Sequence, residues 1–323
     1  MRVACVAVVI TLAGCVGPQP ATPVATAAVR AALTAPGEGR AGSWMAPGAK
    51  KLDLLYVSDY ETDDVYAYSY PQGKLSGVLR GILEGFVLPA GLCSDSAGDV
   101  YIPDSSSAAV LEYAHGSTRH VKTLIDREEV PYSCASDPST GDLAVMNVES
   151  FKGHGGVAIY SRARGQPKKY AYGFVYKYYF GAYDDRGNLF VDASDDVPSE
   201  PFAFLELPKG SGSFHSIVLD QTVRVPGGVG WDGKHVAVGD SKASVIYRFI
   251  IDGSAGTRVG ATALHGAREP AQFVIAGGGV TAADFRGASV GFWEYPAGGP
   301  PAKTIGGFGE PFGVALSLAR KQR

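Results

Sequence analysis

Residues Pro89–Tyr113 read PAGLCSDSAGDVYIPDSSSAAVLEY, three short strands and the turns between them. Ala90 to Cys93 is small and mostly apolar. Ser96 to Asp99 is a turn signal, because glycine at 98 can take a positive φ without a steric penalty. Val100, Tyr101 and Ile102 are β-branched or aromatic, the composition of a strand. Pro103 to Ser107 interrupts it: proline lacks an amide donor, and Asp and Ser side chains bond their own backbone. Strand character resumes at Val110–Tyr113. After a turn at His115–Ser117, a shorter outer strand follows at Val121–Leu124.

The pattern recurs. Further copies begin at Pro131, Tyr179, Pro226 and Pro270, and a last first strand begins at Pro311. From Pro89 onward the starts are 42, 48, 47, 44 and 41 residues apart. A four-stranded unit of ~40–45 residues is the blade of a β-propeller. The two ends are incomplete in complementary ways. Leu54–Asp59 and Val65–Pro71 supply a second and a third strand without a first, whereas Pro311–Leu318 is a first strand with nothing after it. A solenoid would need capping ends instead of matching halves. The expected fold is all-β: a six-bladed β-propeller of four-stranded blades, with the ring closed by the C-terminal strand pairing into the N-terminal blade.

The chain has 323 residues, 46% hydrophobic and 19% charged, a globular composition with ample length for a core. Its 43 glycines and 20 prolines suit many short strands joined by tight turns. The net charge is −3 and the sequence shows no basic stripe, so nucleic-acid binding is not expected.

Residues 1–15 read MRVACVAVVITLAGC: one cationic residue, then an apolar run too short to span a bilayer. Leu12–Cys15 resembles the bacterial lipobox, which implies a signal peptide over 1–14 and a lipid-modified Cys15 at the mature N-terminus. Two or more acyl chains anchor stably where one is marginal. Residues 15–50 are rich in Ala, Pro and Gly and cannot bury enough surface to order themselves, so a flexible tether is expected. The propeller is expected over 51–319 and a basic tail over 320–323. Val16 follows the cysteine instead of the Asp that favours inner-membrane retention in enterobacteria. The expected location is therefore the cell envelope, with the outer membrane favoured.

LYVSDY (Leu55–Tyr60), GDVYIPD (Gly98–Asp104) and GNLFV (Gly187–Val191) resemble NHL and YVTN-type propeller repeats. PGGV (Pro226–Val229) and FWEYPAGG (Phe292–Gly299) resemble a group of uncharacterised bacterial propeller lipoproteins. The resemblance covers nearly all of 51–318. It implies the fold and leaves the function open, because NHL-like propellers include protein-binding modules and lyases. Gluconolactonase-like enzymes share the six-bladed architecture and hold a channel-mouth metal with Glu, Asn and Asp residues from different blades. No motif of theirs can be placed here.

Asp59, Asp104, Asn147, Asp240 and Asp284 each end the second strand of a unit. Read as a ring, Asp104, Asn147, Asp240 and Asp284 could hold one divalent cation, Ca or Zn, in a metal-dependent hydrolase or lactonase. Read as a repeat-level device, each carboxylate would bond backbone amides of the following turn. Recurrence in five of six units favours the second reading. The fourth unit departs, with Ala193 at this position and Asp192 before it.

Loops after the second strands and between blades share one face, where binding is expected. Glu61, Asp63, Asp64, Asp195, Asp196 and His154 fall there, as do Asp126, Glu128 and Glu129. Tyr170–Tyr179 is dense in aromatics. Period-two spacing would put Tyr172 and Tyr176 on one side of an outer strand, as a contact surface or as packing between blades. Cys93 and Cys134 occupy similar places in adjacent first strands, and either a disulfide or two buried thiols fits. Neither lies in a zinc-binding spacing. No nucleophile elbow, zincin, P-loop or dinucleotide motif is present. The expectation is a non-catalytic, monomeric, lipid-anchored envelope protein without a cofactor, whose propeller face binds a protein, peptide or glycan.

Overall fold

The computed structural model of the chain describes residues 42–81, 88–150, 153–173, 175–195 and 202–320. Apart from two short 3-10 turns, the regular structure is all strand. The first sheet contains β1 (Trp44–Met45), β2 (Leu54–Asp59), β3 (Asp64–Ser69) and β4 (Leu75–Leu79). The second is β5 (Cys93–Ser94), β6 (Val100–Asp104), β7 (Ala109–Tyr113) and β8 (His120–Ile125). The third is β9 (Glu129–Ser136), β10 (Leu143–Ser150), β11 (Gly153–Tyr160) and β12 (Lys168–Tyr170). An eight-stranded sheet follows. One half is β13 (Lys177–Tyr183), β14 (Leu189–Ser194), β15 (Phe202–Leu207) and β16 (His215–Leu219). The other is β17 (Pro226–Trp231), β18 (Val236–Asp240), β19 (Val245–Asp252) and β20 (Ala255–Ala263). The last sheet is β21 (Pro270–Ala276), β22 (Gly279–Asp284), β23 (Ser289–Glu294) and β24 (Lys303–Gly306). β25 (Pro311–Ser317) returns to the first sheet and lies antiparallel to β2, from Leu54↔Ser317 to Asp59↔Pro311.

The two halves of the eight-stranded sheet are antiparallel meanders. Their outer edges join through two parallel pairs, Val218↔Ala255 and Leu219↔Gly256. Gly256 permits this approach, since a Cβ there would stand 2.4 Å from Leu219 Cδ2.

The innermost strands touch in the order β5, β9, β13, β17, β21, β25, and β25 touches β5 again. This ring of radiating sheets is a propeller-like all-β fold. The core is distributed between neighbouring sheets. Leu54 and Tyr56 of β2 pack on Leu92, Ile102 and Leu111 of the second sheet. Val57 packs on Val290 and Phe292 of the last sheet. Second strands are therefore covered on both faces. β2, β6, β14 and β18 are buried at every position, which is why LLYVSD, VYIPD, LFVDAS and VAVGD read as runs and not as alternation. Each fully buried large apolar side chain contributes about 1.5–3 kcal/mol.

Two local expectations change. Trp44 and Met45, placed in the tether by composition, pair as β1 with Val78 and Gly77 of β4, and Ala49 is buried. The close approach of β1 needs Gly77, where a Cβ would meet Met45 Sδ at 2.2 Å. The aromatic run is not one strand. It divides into the end of β12, a connecting segment and the start of β13, because its residues serve two successive sheets. Cys15, Asp196 and the leader and tether through residue 41 lie outside the described residues.

Candidate functional site

The recurrent acids at the ends of the second strands are buried clasps. Asp59 Oδ1 accepts from Glu61 N in the following turn at 3.0 Å and from Glu310 N at 2.9 Å. Its Oδ2 accepts from Gly309 N at 2.9 Å. Asp240 bonds Ala243 N in its turn and Arg224 N in the loop entering β17, both at 3.1 Å. Asp284 accepts from Gly287 N at 3.2 Å, Arg268 N at 3.0 Å and Glu269 N at 2.8 Å. Asp104 takes the Ser106 amide and the Ser106 and Ser107 hydroxyls at 3.0, 2.9 and 2.6 Å. Burial pushes the Asp104 carboxyl up to about 6, against these bonds, which pull it down. Each carboxylate thus holds its own turn, and three of them also hold the loop that delivers the inner strand paired with their own second strand. This ties the second-to-third-strand turns and the blade-to-blade loops into one face. Among the described residues, no three His, Cys, Asp or Glu side chains gather as a metal-binding group.

Each clasp is followed four residues later by a left-handed residue: Asp63 (φ 56°), Ala108 (54°), Ser244 (52°) and Ala288 (50°). None is glycine, so this shared turn was not visible as a glycine signal.

Two units depart from the clasp. In the third sheet, Asn147 Nδ2 donates to Asp126 Oδ2 at 2.9 Å, so the entering loop supplies the carboxylate and the strand supplies the amide. Lys169 Nζ lies 3.8 Å from Asp126 Oδ1 and 2.6 Å from Glu129 Oε1. Burial pushes the Asp126 carboxyl up to about 6, while Asn147 and Lys169 lower it. In the eight-stranded sheet, Asp192 points to the inner strand: Oδ1 accepts from Phe180 N at 2.7 Å. Its other oxygen is buried and has no hydrogen-bond partner among the described residues, and burial pushes this carboxyl up to about 8. Asp192 is therefore largely protonated at neutral pH.

The centre of the ring is filled. Phe312 of β25 stacks on Tyr60 at 4.5 Å between centroids and meets Tyr132 at 5.1 Å, Phe180 at 5.9 Å and Phe285 at 6.2 Å. Tyr132 and Phe180 stand on β9 and β13, which do not neighbour β25, so these contacts cross the axis. Gln272 of β21 also reaches across. Its Oε1 accepts from Leu92 N and Val314 N, and its Nε2 donates to Leu92 O, each at 2.9 Å. Small residues allow the crowding: a Cβ at Gly313 would meet Ala90 O at 2.3 Å.

The expected face residues have different fates. Asp64 is buried and held by Arg80 Nη1 at 2.5 Å and Gly81 N at 2.9 Å, a structural pairing. Glu61 is exposed, while Asp63 and Asp195 are partly exposed. His154 and Tyr176 come together, with ring centroids 4.6 Å apart. Tyr172 packs against the core between the third sheet and the next, where its amide is bonded by Tyr178 Oη at 2.7 Å. Cys93 and Cys134 are joined by a disulfide across adjacent sheets, with Cα atoms 5.5 Å apart.

No family model and no curated protein matches the chain. Solved structures do. A chain of a crystal structure of a nidogen/laminin complex matches with a TM-score of 0.65 at 13% identity, over 83% of this chain and 100% of that one. A protein of unknown function from Bacteroides caccae matches with a TM-score of 0.62 at 12% identity, over 82% and 99%. At such identities the likeness is one of fold: this chain is a β-propeller.

Proposed function

We propose that the chain is a six-bladed, non-catalytic binding propeller, anchored to the cell envelope by an acylated Cys15, with a protein, peptide or glycan as its partner. The filled axis carries this reading. Phe312 and its four aromatic neighbours occupy the place where propeller enzymes open a channel-mouth site, and the clasp oxygens are spent on backbone amides. What remains for recognition is loop surface and the grooves between blades. The count of six takes the halves of the eight-stranded sheet as two blades whose outer edges touch. It matches the ring of innermost strands β5, β9, β13, β17, β21 and β25. The fold neighbour in the nidogen/laminin complex belongs to an assembly of proteins, which fits a propeller used for docking.

The test is capture from solubilised envelopes by the full-length protein, with Cys15→Ser as a companion. Specific recovery of one partner, and loss of membrane association and of palmitate labelling in Cys15→Ser, is the expected result. Recovery of nothing above background would count against the binding reading. An unlabelled native chain would remove the anchor.

A further inference from the structure

A pocket of about 180 Å³ opens over the third sheet, among the loops of the acidic face. Its lining includes Glu129 of β9, Asn147 of β10, Gly156 and Ala158 of β11, and Lys169 and Tyr170 of β12. It is smaller than the ~300–1,000 Å³ of ordinary ligand sites, a size suited to the end of one side chain. The register sets Asn147 opposite Gly156 and Lys169 opposite Ala158, so these four share one face of the sheet. Gly156 and Ala158 leave that face low between the two polar groups. A larger residue is barred at 156, where a Cβ would meet Tyr170 O at 2.8 Å.

Two buried oxygens here lack donors. Asn147 is 1% exposed; its Nδ2 is turned to Asp126, and its Oδ1 has no hydrogen-bond partner among the described residues. Asp126 is fully buried; its Oδ1 likewise has none, and Lys169 Nζ, at 3.8 Å, is beyond hydrogen-bond reach. Lys169 is spent elsewhere, since Nζ donates to Glu129 Oε1 at 2.6 Å and to Arg127 O at 3.1 Å. Glu129 has a further interaction of its own and is not one of the groups in want of a donor. A buried carboxylate oxygen beside a buried amide oxygen calls for a donor that carries positive charge. A metal ion would need more carboxylates than gather among the described residues. A planar guanidinium can donate to two separated oxygens at once.

We infer that this pocket receives an arginine side chain of the partner, whose guanidinium donates to Asn147 Oδ1 and Asp126 Oδ1. The inference rests on the binding-module reading and names the partner's chemistry: a protein or peptide with a projecting arginine. Lys169 does not oppose the second cation, because Glu129 matches its charge at 2.6 Å.

The test is fluorescence anisotropy of the full-length protein with a labelled Gly-Ser peptide carrying one central arginine. The same peptide is made with citrulline, which keeps the shape and loses the charge, and with lysine. Two variants accompany it. Asp126→Asn should fold, because its amide oxygen still accepts from Asn147 Nδ2, and thermal melts check this. Glu294→Gln removes one charge from an exposed position on β23, outside the pocket. The expected results are binding of the arginine peptide that weakens with salt, at least tenfold loss with citrulline, and a clear loss with lysine. Asp126→Asn should lose at least tenfold while Glu294→Gln binds like the native protein. Absence of arginine-peptide binding, or equal binding of the citrulline peptide, overturns the pocket, and neither arm depends on a variant that folds. Equal loss in the two variants would show general attraction to an acidic protein and overturn it too. Equal binding of the lysine peptide overturns the guanidinium assignment. Capture of the envelope partner by Asp126→Asn as well as by the native protein would remove this pocket and leave the binding module standing.

Discussion

Asn147 Nδ2 donates to Asp126 Oδ2 at 2.9 Å, both side chains buried, where other units place an Asp carboxylate on the strand and backbone amides on the loop. Donor and acceptor have exchanged sides. The interaction joining the turn face to the entering loop survives, although the strand position has lost its charge.

Asn147→Asp would set two carboxylates in contact, and one would have to keep a proton. Urea denaturation at pH 7 should show a loss of about 1–3 kcal/mol. The loss should shrink at pH 5, where protonation removes the repulsion. The exchanged pair Asp126→Asn with Asn147→Asp should recover most of the stability. A double variant no better than the worse single one would refute the exchange.

Asp192 gives stability a distinct pH dependence. Its folded pKa, about 8, lies above the unfolded value near 3.9, so the folded state holds a proton that the unfolded chain has released. Its contribution is favourable at low pH and declines as pH rises through about 4 to 8. Asp192→Asn keeps the acceptor for Phe180 N and cannot ionise. In thermal melts its stability relative to the native protein should rise by roughly 5 °C or more between pH 5 and pH 9. Parallel curves from pH 5 to 9 would mean that Asp192 is ionised throughout.

Phe312→Ala removes the ring that touches aromatics from across the axis. Truncating a buried Phe costs about 3–5 kcal/mol. Phe312→Leu should cost clearly less. A loss below about 1 kcal/mol in the Ala variant would show that the centre of the ring is not packed as described.

The Cys93–Cys134 disulfide spans 41 residues of sequence and links adjacent inner strands. On loop-closure grounds it stabilises by about 4 kcal/mol. Paired denaturation of native protein with and without reductant, checked against C93S/C134S, should show that loss. Coincident curves would show that the cross-link adds nothing to the folded state.

The propeller was legible because its unit repeats, and its closure was legible because the chain ends are complementary. Buried second strands stood out as apolar runs, a consequence of having sheets on both sides. The clasp was legible as a recurrent acid and as one of two readings. Its second half was not, since Gly309, Arg224 and Arg268 contribute amides, which any residue carries. The shared left-handed turn was hidden for a similar reason, as Asp63, Ala108, Ser244 and Ala288 have no common side chain.

By itself, the sequence determined the all-β repeat, the pairing of β25 into the first sheet, and the positions where an acid ends a strand. These depend on local propensity and period, which are written in consecutive residues. Only tertiary structure decided what meets what across the ring. Phe312 against Tyr132, Gln272 against Leu92, and Asp126 against Asn147 are separated along the chain and juxtaposed only after the sheets close. Apolar, amide and charged side chains carry no local mark of a distant partner, so the closed axis became visible only in three dimensions.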